Sequence, residues 1–399
     1  LSGGAGNDRL VADSAHDTVE GGTGNDTYVI LKSAGVVTIT DLETNNLLER
    51  IDLTDFTGLT DLAGLTITQT GADVSITAPQ LNIVLKNLSA ASLSADDFLF
   101  SGQDPLEFHV DPSMALADIQ HLISEAPPGA RVYFAEGVYS ITDTLLVERG
   151  DISLIGAGEG KTVFRTDIPD DRPASTVKVQ AADIQIRLGA IAADAAAGSF
   201  TVTVQSGHGL QVGDLLYVSQ ANDDAWLAAT GNTGWAPPAD APRNGEDYYL
   251  REMRSRIVAV DGDTITVAEP LPYSFTAGIA TAAESTFLKN IDLEGFTIQG
   301  RWGEPDPNLF EITLPAWEGI SALEIDAVTE SSVHNISVED AASHAFRLQR
   351  LYDVTGDHLT VDGAHNKAGG DGYSFLFDES FANNFTNLIS IDGRHAVLF

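Results

Sequence analysis

Apolar and polar residues alternate over short stretches of this chain, and the stretches recur. Between residues 30 and 102 the runs VVTITDL, RIDLTDF, LTITQTGADVSITA and NIVLKNL lead to LSADDFLF. A period of two, broken by Gly, Asn and Asp, predicts half-buried strands. The pattern changes near residues 101–105 (SGQDP). Met114, Ala117, Ile119, Leu122 and Ile123 then recur at helical spacing. Ser113 is placed to cap that helix, and Pro127, Pro128 and Gly129 to end it. Strands return in RVYFAEGVYSI, TLLVERGDISLIGAG and KTVFRTD, separated by Gly and Asp turns.

After residue 286 two series of strand-like segments run in parallel. One is SALEID from Ser321, HAFRLQ from His344, YSFLFD from Tyr373 and HAVLF from His395. The other is FTIQG from Phe296, NISVED from Asn335, HLTVDG from His358 and LISIDG from Leu388. The spacing within each series is that of one coil with its loops. A single coil cannot bury its apolar face, so the coils must stack. Ala345, Leu348, Phe375 and Phe377 are expected in the stacked core or on its wall. Residues 189–284 interrupt the series. FTVTVQSGHGLQVGDLLYVSQ and SRIVAVDGDTITVAEPLP read as strand pairs, with a hairpin turn at Asp261 and Gly262. Trp226, Trp235, Pro237, Pro238, Tyr248 and Tyr249 lie between them, and a small β-barrel-like insertion is expected.

Residues 113–166 combine an amphipathic helix, the run PPGARVYFAEGVY and the run ISLIGAG. This resembles the entrance of a right-handed parallel β-helix of the pectate-lyase-like superfamily. The resemblance implies an architecture and leaves the reaction open, because that scaffold hosts lyases, hydrolases, epimerases and non-catalytic tailspikes.

The first residues carry a different signal. GGAGNDRLV occupies residues 3–11 and GGTGNDTYV residues 21–29. Gly3, Gly4, Gly6, Gly21, Gly22 and Gly24 allow tight turns with inward carbonyls. Asp8 and Asp26 supply the hard oxygen that calcium takes. Leu10 and Tyr28 alternate into short strands. Both segments fit G-G-x-G-x-D-x-U-x and resemble the RTX calcium-binding nonapeptide of β-rolls. The intervening ADSAHDTVE keeps Asp17 and Val19 but has lost its glycines. Two nonapeptides make one coil, so the two intact copies stack on one edge. One well-formed calcium site is expected there, with Asp17 a weaker ligand candidate on the opposite edge. Residues 30–102 resemble the β-rich segment that follows such repeats, and are expected to cap the roll's open end.

The expected class is therefore all-β: an N-terminal calcium β-roll plus a right-handed parallel β-helix with a small β-rich insertion. The expected domains are residues 1–102 and 103–399, with 189–284 as the insertion. The chain opens inside a repeat and ends at Phe399 inside a strand, as expected for a piece of a longer protein.

Composition narrows the chemistry. Cysteine is absent, which excludes disulfides, thiolate metal sites and cysteine nucleophiles. The net charge of −37 disfavours nucleic acid and anionic membranes. No apolar run is long enough to insert into a bilayer. Such a surface suits an extracellular protein, and the RTX resemblance implies the type I secretion machinery as a partner. The absence of an H-E-x-x-H motif argues against an RTX protease.

All four tryptophans lie between Trp226 and Trp317. Flat aromatic faces beside polar loops hold sugar rings. Trp302 and Trp317, flanked by Arg301, Glu304, Asp306 and Glu318, are the stronger substrate-binding candidates; Trp226 and Trp235 are the others. The last coils gather His344, Arg347, His358, His365, Lys367, Asp371, Asp378, Asp392, Arg394 and His395. Of these, Arg394, His395, Asp371, Asp378, Lys367 and His344 are the catalytic candidates. A cation neutralising a uronate carboxylate beside a base would give a lyase or epimerase. Paired carboxylates such as Asp371 and Asp378 would give a hydrolase. The expected partner is a polysaccharide and the expected cofactor calcium. Lyase or epimerase action on a uronate polymer leads, because RTX modules and β-helices occur together in alginate epimerases. The alternative is a non-catalytic adhesin or biofilm-matrix protein.

Overall fold

The structure, a computed structural model, describes residues 1–14, 16–32, 35–181, 185–234 and 250–398. Trp235, Pro237, Pro238, Tyr248 and Tyr249 lie outside the described residues. Two compact units are formed: Leu1–Thr176 with Asp292–Gly303 and His334–Glu339, and Val177–Ile291 with Glu304–Val333 and Asp340–Phe399.

In the first unit the repeats form two parallel ladders. Ser2–Ala5 pairs with Thr18–Thr23, placing Gly4 opposite Gly22. Arg9–Ala12 pairs with Thr27–Ile30, placing Leu10 opposite Tyr28. Side chains alternate along a strand, so Leu10, Val19 and Tyr28 point between the ladders into a shared core. The following residues extend both sheets. Val37–Ile39 and Leu81–Leu85 continue the first in parallel, and Asp73–Ala78 and Thr66–Thr70 finish it antiparallel. Arg50–Asp52 and Phe98–Leu99 continue the second. The segment expected to cap the roll grows from it as added strands.

Helix Leu116–Glu125 buries Ile119, Leu122 and Ile123. Its start differs from expectation. Ala115 is the N-cap and makes no side-chain cap bond. The Ser113 hydroxyl instead donates to Asp111 at 2.5 Å. Ala117 is exposed, so the buried face begins two residues later.

Coiling begins beyond the helix. Glu107–Val110, Ala130–Phe134 and Ile152–Gly156 are parallel neighbours. Gly137–Ile141 and Thr162–Thr166 form a second wall, joined by Thr297 and Ile298 opposite Val163 and Phe164. Phe134, Tyr139, Phe164 and Phe296 pack as an aromatic cluster. Gly156 is required where it stands, because a Cβ there would lie 2.2 Å from the Gly295 carbonyl oxygen.

In the second unit Val177–Gln180 runs parallel to residues 323–326. His344–Ala364 pairs in parallel with Tyr373–Asp378 and then Asn384–Ile391. Tyr373–Asp378 pairs with His395–Leu398. His344–Ala364 is offset by 29 residues from both of its partners, as for Gln349 and Asp378, and Tyr373–Asp378 by 22 residues from His395–Leu398. Positive φ recurs at the first of these offsets: Arg350 and Glu379, Asp353 and Ala382, His358 and Asn387, Gly363 and Asp392. These left-handed residues are the corners of a parallel β-helix. Ala345, Leu348, Phe375 and Phe377 are buried in it, as expected.

The insertion is a six-stranded antiparallel sheet. Leu215–Gln220 pairs with Arg251–Asp261, so Tyr217 faces Arg254 and Ser219 faces Glu252. Leu216, Val218, Met253 and Ile257 fill the insertion's own core. By alternation, Tyr217, Ser219, Glu252, Arg254 and Arg256 line the other face, which packs on the coils. The Tyr352 hydroxyl donates to Glu269 at 2.8 Å, and Arg254 Nη1 donates to the Glu379 carbonyl at 2.9 Å. Among the described residues no helix is long and apolar enough to cross a membrane.

Candidate functional site

The repeat turns fit a hard cation. The Asp8 amide donates to Asp26 Oδ1 at 2.8 Å across the 18-residue offset of one coil. Asp8 Oδ2 is buried with no hydrogen-bond partner. Asp26 is 1% exposed. Burial, with the charges of Asp8, Asp41 and Glu43 adding to it, raises its pKa from the ordinary aspartate value. Crowded, dehydrated carboxylates are what a bound divalent ion relieves. The backbone closes the cradle: a Cβ on Gly22 would lie 2.0 Å from the Gly4 oxygen, and one on Gly3 2.6 Å from the Gly21 oxygen. A cleft of about 680 Å³ lined by Asp8, Arg9, Asp52 and Phe108 gives the turn an entry path. Asp17 has a different role, accepting bonds from the Ser14 amide at 3.0 Å and the Ser14 hydroxyl at 2.8 Å, which closes its own turn.

The next coil adds two acids that sequence reasoning passed over. Asp41 accepts from the Gly21 and Gly22 amides at 3.0 and 2.9 Å. The Tyr28 hydroxyl stands 3.0 Å from both Asp41 and Glu49. Burial pushes Glu49 up to about 7. The stretch DLETNN has no glycine signature; its density of acids after a β-roll was the available signal.

A second constellation lies in the other unit, between the insertion and the coil corner. Glu252 is partly exposed and pushed up to about 7 by burial, with Glu379 and Asp378 adding negative charge. The Tyr217 hydroxyl donates to Glu252 at 2.5 Å. Beneath them Arg254 is 1% exposed. It packs against the rings of Tyr217, Phe287 and Phe381, and its Nη2 has no hydrogen-bond partner. Asp378 is exposed, and Gln349 donates to it at 3.3 Å. The nearby Arg350 is engaged, paired with Asp326. An acid held protonated near neutrality beside an open carboxylate can exchange protons with a bound substrate.

The residues named from sequence are spread more widely. His344, Tyr373 and His395 stack ring on ring in successive coils, with centroids 5.1 and 5.4 Å apart. Burial lowers the His344 pKa. Asp371 is buried and accepts from the Gly319 amide at 2.7 Å and from the Ser343 hydroxyl. Lys367 is also buried, and its Nζ donates to the Asp306 carbonyl at 2.8 Å. Arg347 Nε and Arg394 Nη1 are buried atoms with no hydrogen-bond partner. Trp317 is 2% exposed and offers no face to a ligand; its ring is a packing element. Trp302 stands in the first unit beside the Arg301 guanidinium, which pairs with Asp170. Trp226 packs edge-on against Tyr273, with Arg251 over its ring. Trp235 lies outside the described residues. Only Asp378 falls in the acid constellation with Glu252.

Residues 1–28 match a family model described as RTX calcium-binding nonapeptide repeat (4 copies); the repeats are calcium-binding elements. No curated protein matches the chain. Among solved structures, the chain is similar to the tailspike gp61 of Pseudomonas phage phi297. The TM-score is 0.46 at 14% identity, covering 71% of this chain and 42% of that one. It is also similar to the tailspike gp49 of Pseudomonas phage LKA1, with a TM-score of 0.46 at 18% identity, covering 68% and 39%. For the Gp54 tailspike of Acinetobacter baumannii bacteriophage AP22, described in complex with capsular saccharide, the TM-score is 0.37 at 10% identity, covering 69% and 56%. The chain thus spans less than two thirds of each of these proteins.

Proposed function

We propose that this chain is an extracellular, calcium-stabilised protein that acts on polysaccharide, cleaving glycosidic bonds at the corner where the insertion sheet meets the coils. One observation carries the reading: Glu252, hydrogen-bonded to Tyr217, is a partly exposed acid whose pKa is raised by burial and also by the charges of Glu379 and the exposed Asp378. In this proposal Glu252 protonates the leaving oxygen and Asp378 is the second carboxylate. A hydrolase is favoured over a uronate lyase or epimerase because Arg350 already neutralises Asp326 and Arg254, 1% exposed, lies too deep to meet a substrate carboxylate. A uronate carboxylate would meet mostly acids. Trp226 and Tyr273, in the same unit, are proposed sugar contacts, and type I export is the proposed route out of the cell.

A non-catalytic adhesin is the second reading. It is favoured by the buried, bonded state of Asp371 and Lys367, which read as catalytic in sequence. The experiment presents the calcium-loaded chain with neutral and anionic glycans, recording reducing ends, unsaturated uronate and retention. Reducing ends that disappear in Glu252→Gln while retention persists support hydrolysis. Unsaturated uronate would replace it with a lyase, and retention without products with an adhesin.

A further inference from the structure

Away from both constellations, one side of the first unit brings together three side chains whose chemistry differs from that of the calcium turns. Asp292 and Glu294 are two residues apart in Ile291–Gln299, so they stand on the same side of that strand. Gly295, with φ 74, turns the corner directly after them. The segment His334–Glu339 lies alongside. The Thr297 and Ser337 hydroxyls are 2.6 Å apart, and the Gly300 amide donates to the Glu339 carbonyl at 2.9 Å. That register sets His334 beside the acids, with its Nε2 2.9 Å from Asp292 Oδ1. One ligand atom from each of Asp292, Glu294 and His334 lies within 4.8 Å of the others, and all three residues are half-buried.

We infer that Asp292, Glu294 and His334 form a binding site for a first-row divalent metal of the zinc, cobalt or manganese class, separate from the calcium turns. The donor set selects the ion. One imidazole nitrogen with two carboxylates suits borderline metals. Calcium takes six to eight oxygens, and this cluster supplies an imidazole nitrogen and too few oxygens for it. Three protein ligands leave a coordination position for water. The spacing is close to that of an ion site: ligand atoms within 4.8 Å of one another need to close by at least a few tenths of an ångström to sit about 2.0–2.2 Å from a central metal, a movement side-chain rotation supplies. Asn335, whose Nδ2 is 3.5 Å from Glu294, is the neighbouring group that can steady the second carboxylate. The ligands come from two chain segments, so the ion clips one coil to the next. Acid displaces it, because an imidazole must be unprotonated to bind metal.

The test is titration of the full chain with zinc in saturating calcium, followed by calorimetry, and with cobalt, followed by its visible absorption. One zinc per chain is expected, with cobalt bands of nitrogen and oxygen ligation. His334→Gln and, separately, Glu294→Gln should each weaken binding by about 100-fold or more, beyond the loss typical of outer-shell changes. Far-ultraviolet dichroism verifies that each variant stays folded. His358→Gln, an exposed imidazole elsewhere, should leave the affinity unchanged. The inference fails if zinc does not bind, if binding survives both cluster variants, or if His358→Gln weakens it equally. It also fails if calcium competes on equal terms. None of these outcomes bears on glycan cleavage.

Discussion

The Asp8 amide donates to the Asp26 carboxylate at 2.8 Å, so the two intact nonapeptides are tied to each other by a prospective calcium ligand. Asp26 therefore serves both turns, and its loss should cost more than one coordinating oxygen. Calcium should raise the melting temperature of the chain. An ion at 100 times its dissociation constant contributes about 2.7 kcal/mol to the folded form. Asp26→Ala should abolish most of that rise, and Asp17→Ala should preserve it, because Asp17 closes only its own turn. Thermal melts with and without chelator decide the point. Equal calcium responses in the two variants would refute this assignment of ligands.

Glycine is needed in these turns for two separable reasons. Gly4 and Gly22 both have φ 108, but an added Cβ meets nothing within 4 Å at Gly4 and the Gly4 oxygen at 2.0 Å at Gly22. Gly4→Ala should cost only the backbone strain, about 1–3 kcal/mol. Gly22→Ala should cost that strain and also separate the stacked turns, so calcium should no longer restore stability. Urea unfolding of both variants, with and without calcium, is the measurement. Similar losses in both would contradict the close approach.

The legible parts of the sequence were those that obey a short period. The nonapeptide glycines announce their turns, and the alternation in HAFRLQ and YSFLFD places Phe346 on Phe375, 5.1 Å apart in the core. The corners were hidden because ordinary residues make them. Sequence reading gave His358 and Asp392 to the chemical cluster, whereas both have φ 52 and turn the chain between strands. Histidine and aspartate are among the residues that tolerate that conformation. The acid pair was missed for another reason. Glu252 feels the charge of Asp378 only because a sheet docks on a coil, a long-range relationship that no local spacing records.

Asp371 separates the structural from the catalytic role of such residues. Its buried carboxylate satisfies the Gly319 amide and the Ser343 hydroxyl. Asp371→Ala should leave the buried Ser343 hydroxyl without its acceptor, at about 1–3 kcal/mol. Asp371→Asn should recover most of the loss, because both donors bond the same oxygen, Oδ1, and the amide keeps an oxygen there. Chemical denaturation measures this directly. If Asp371→Ala is as stable as the parent and yet fails to turn over glycan, the residue belongs to the reaction.

The pH response of Glu252 has a definite sign. Its carboxyl is raised from 4.5 to about 7, burial being the first cause and the charges of Glu379 and Asp378 adding to it. In the fold the protonated form is favoured. The associated stability is therefore fully present below pH 4.5 and is lost as pH rises through about 7. One pKa unit corresponds to about 1.4 kcal/mol, so the loss over that window is on the order of 3–4 kcal/mol. Glu252→Gln cannot ionise, so it should be more stable than the parent above pH 7 and flatten this part of the profile. A general acid must hold its proton, so glycan cleavage by the parent should fall as pH passes about 7. Glu252→Gln should lose turnover by about 100-fold or more at every pH. Melting temperatures and initial rates across pH 4–9 test both halves. A variant that flattens the stability curve and leaves the rate profile intact would make Glu252 a buried acid with no part in the chemistry.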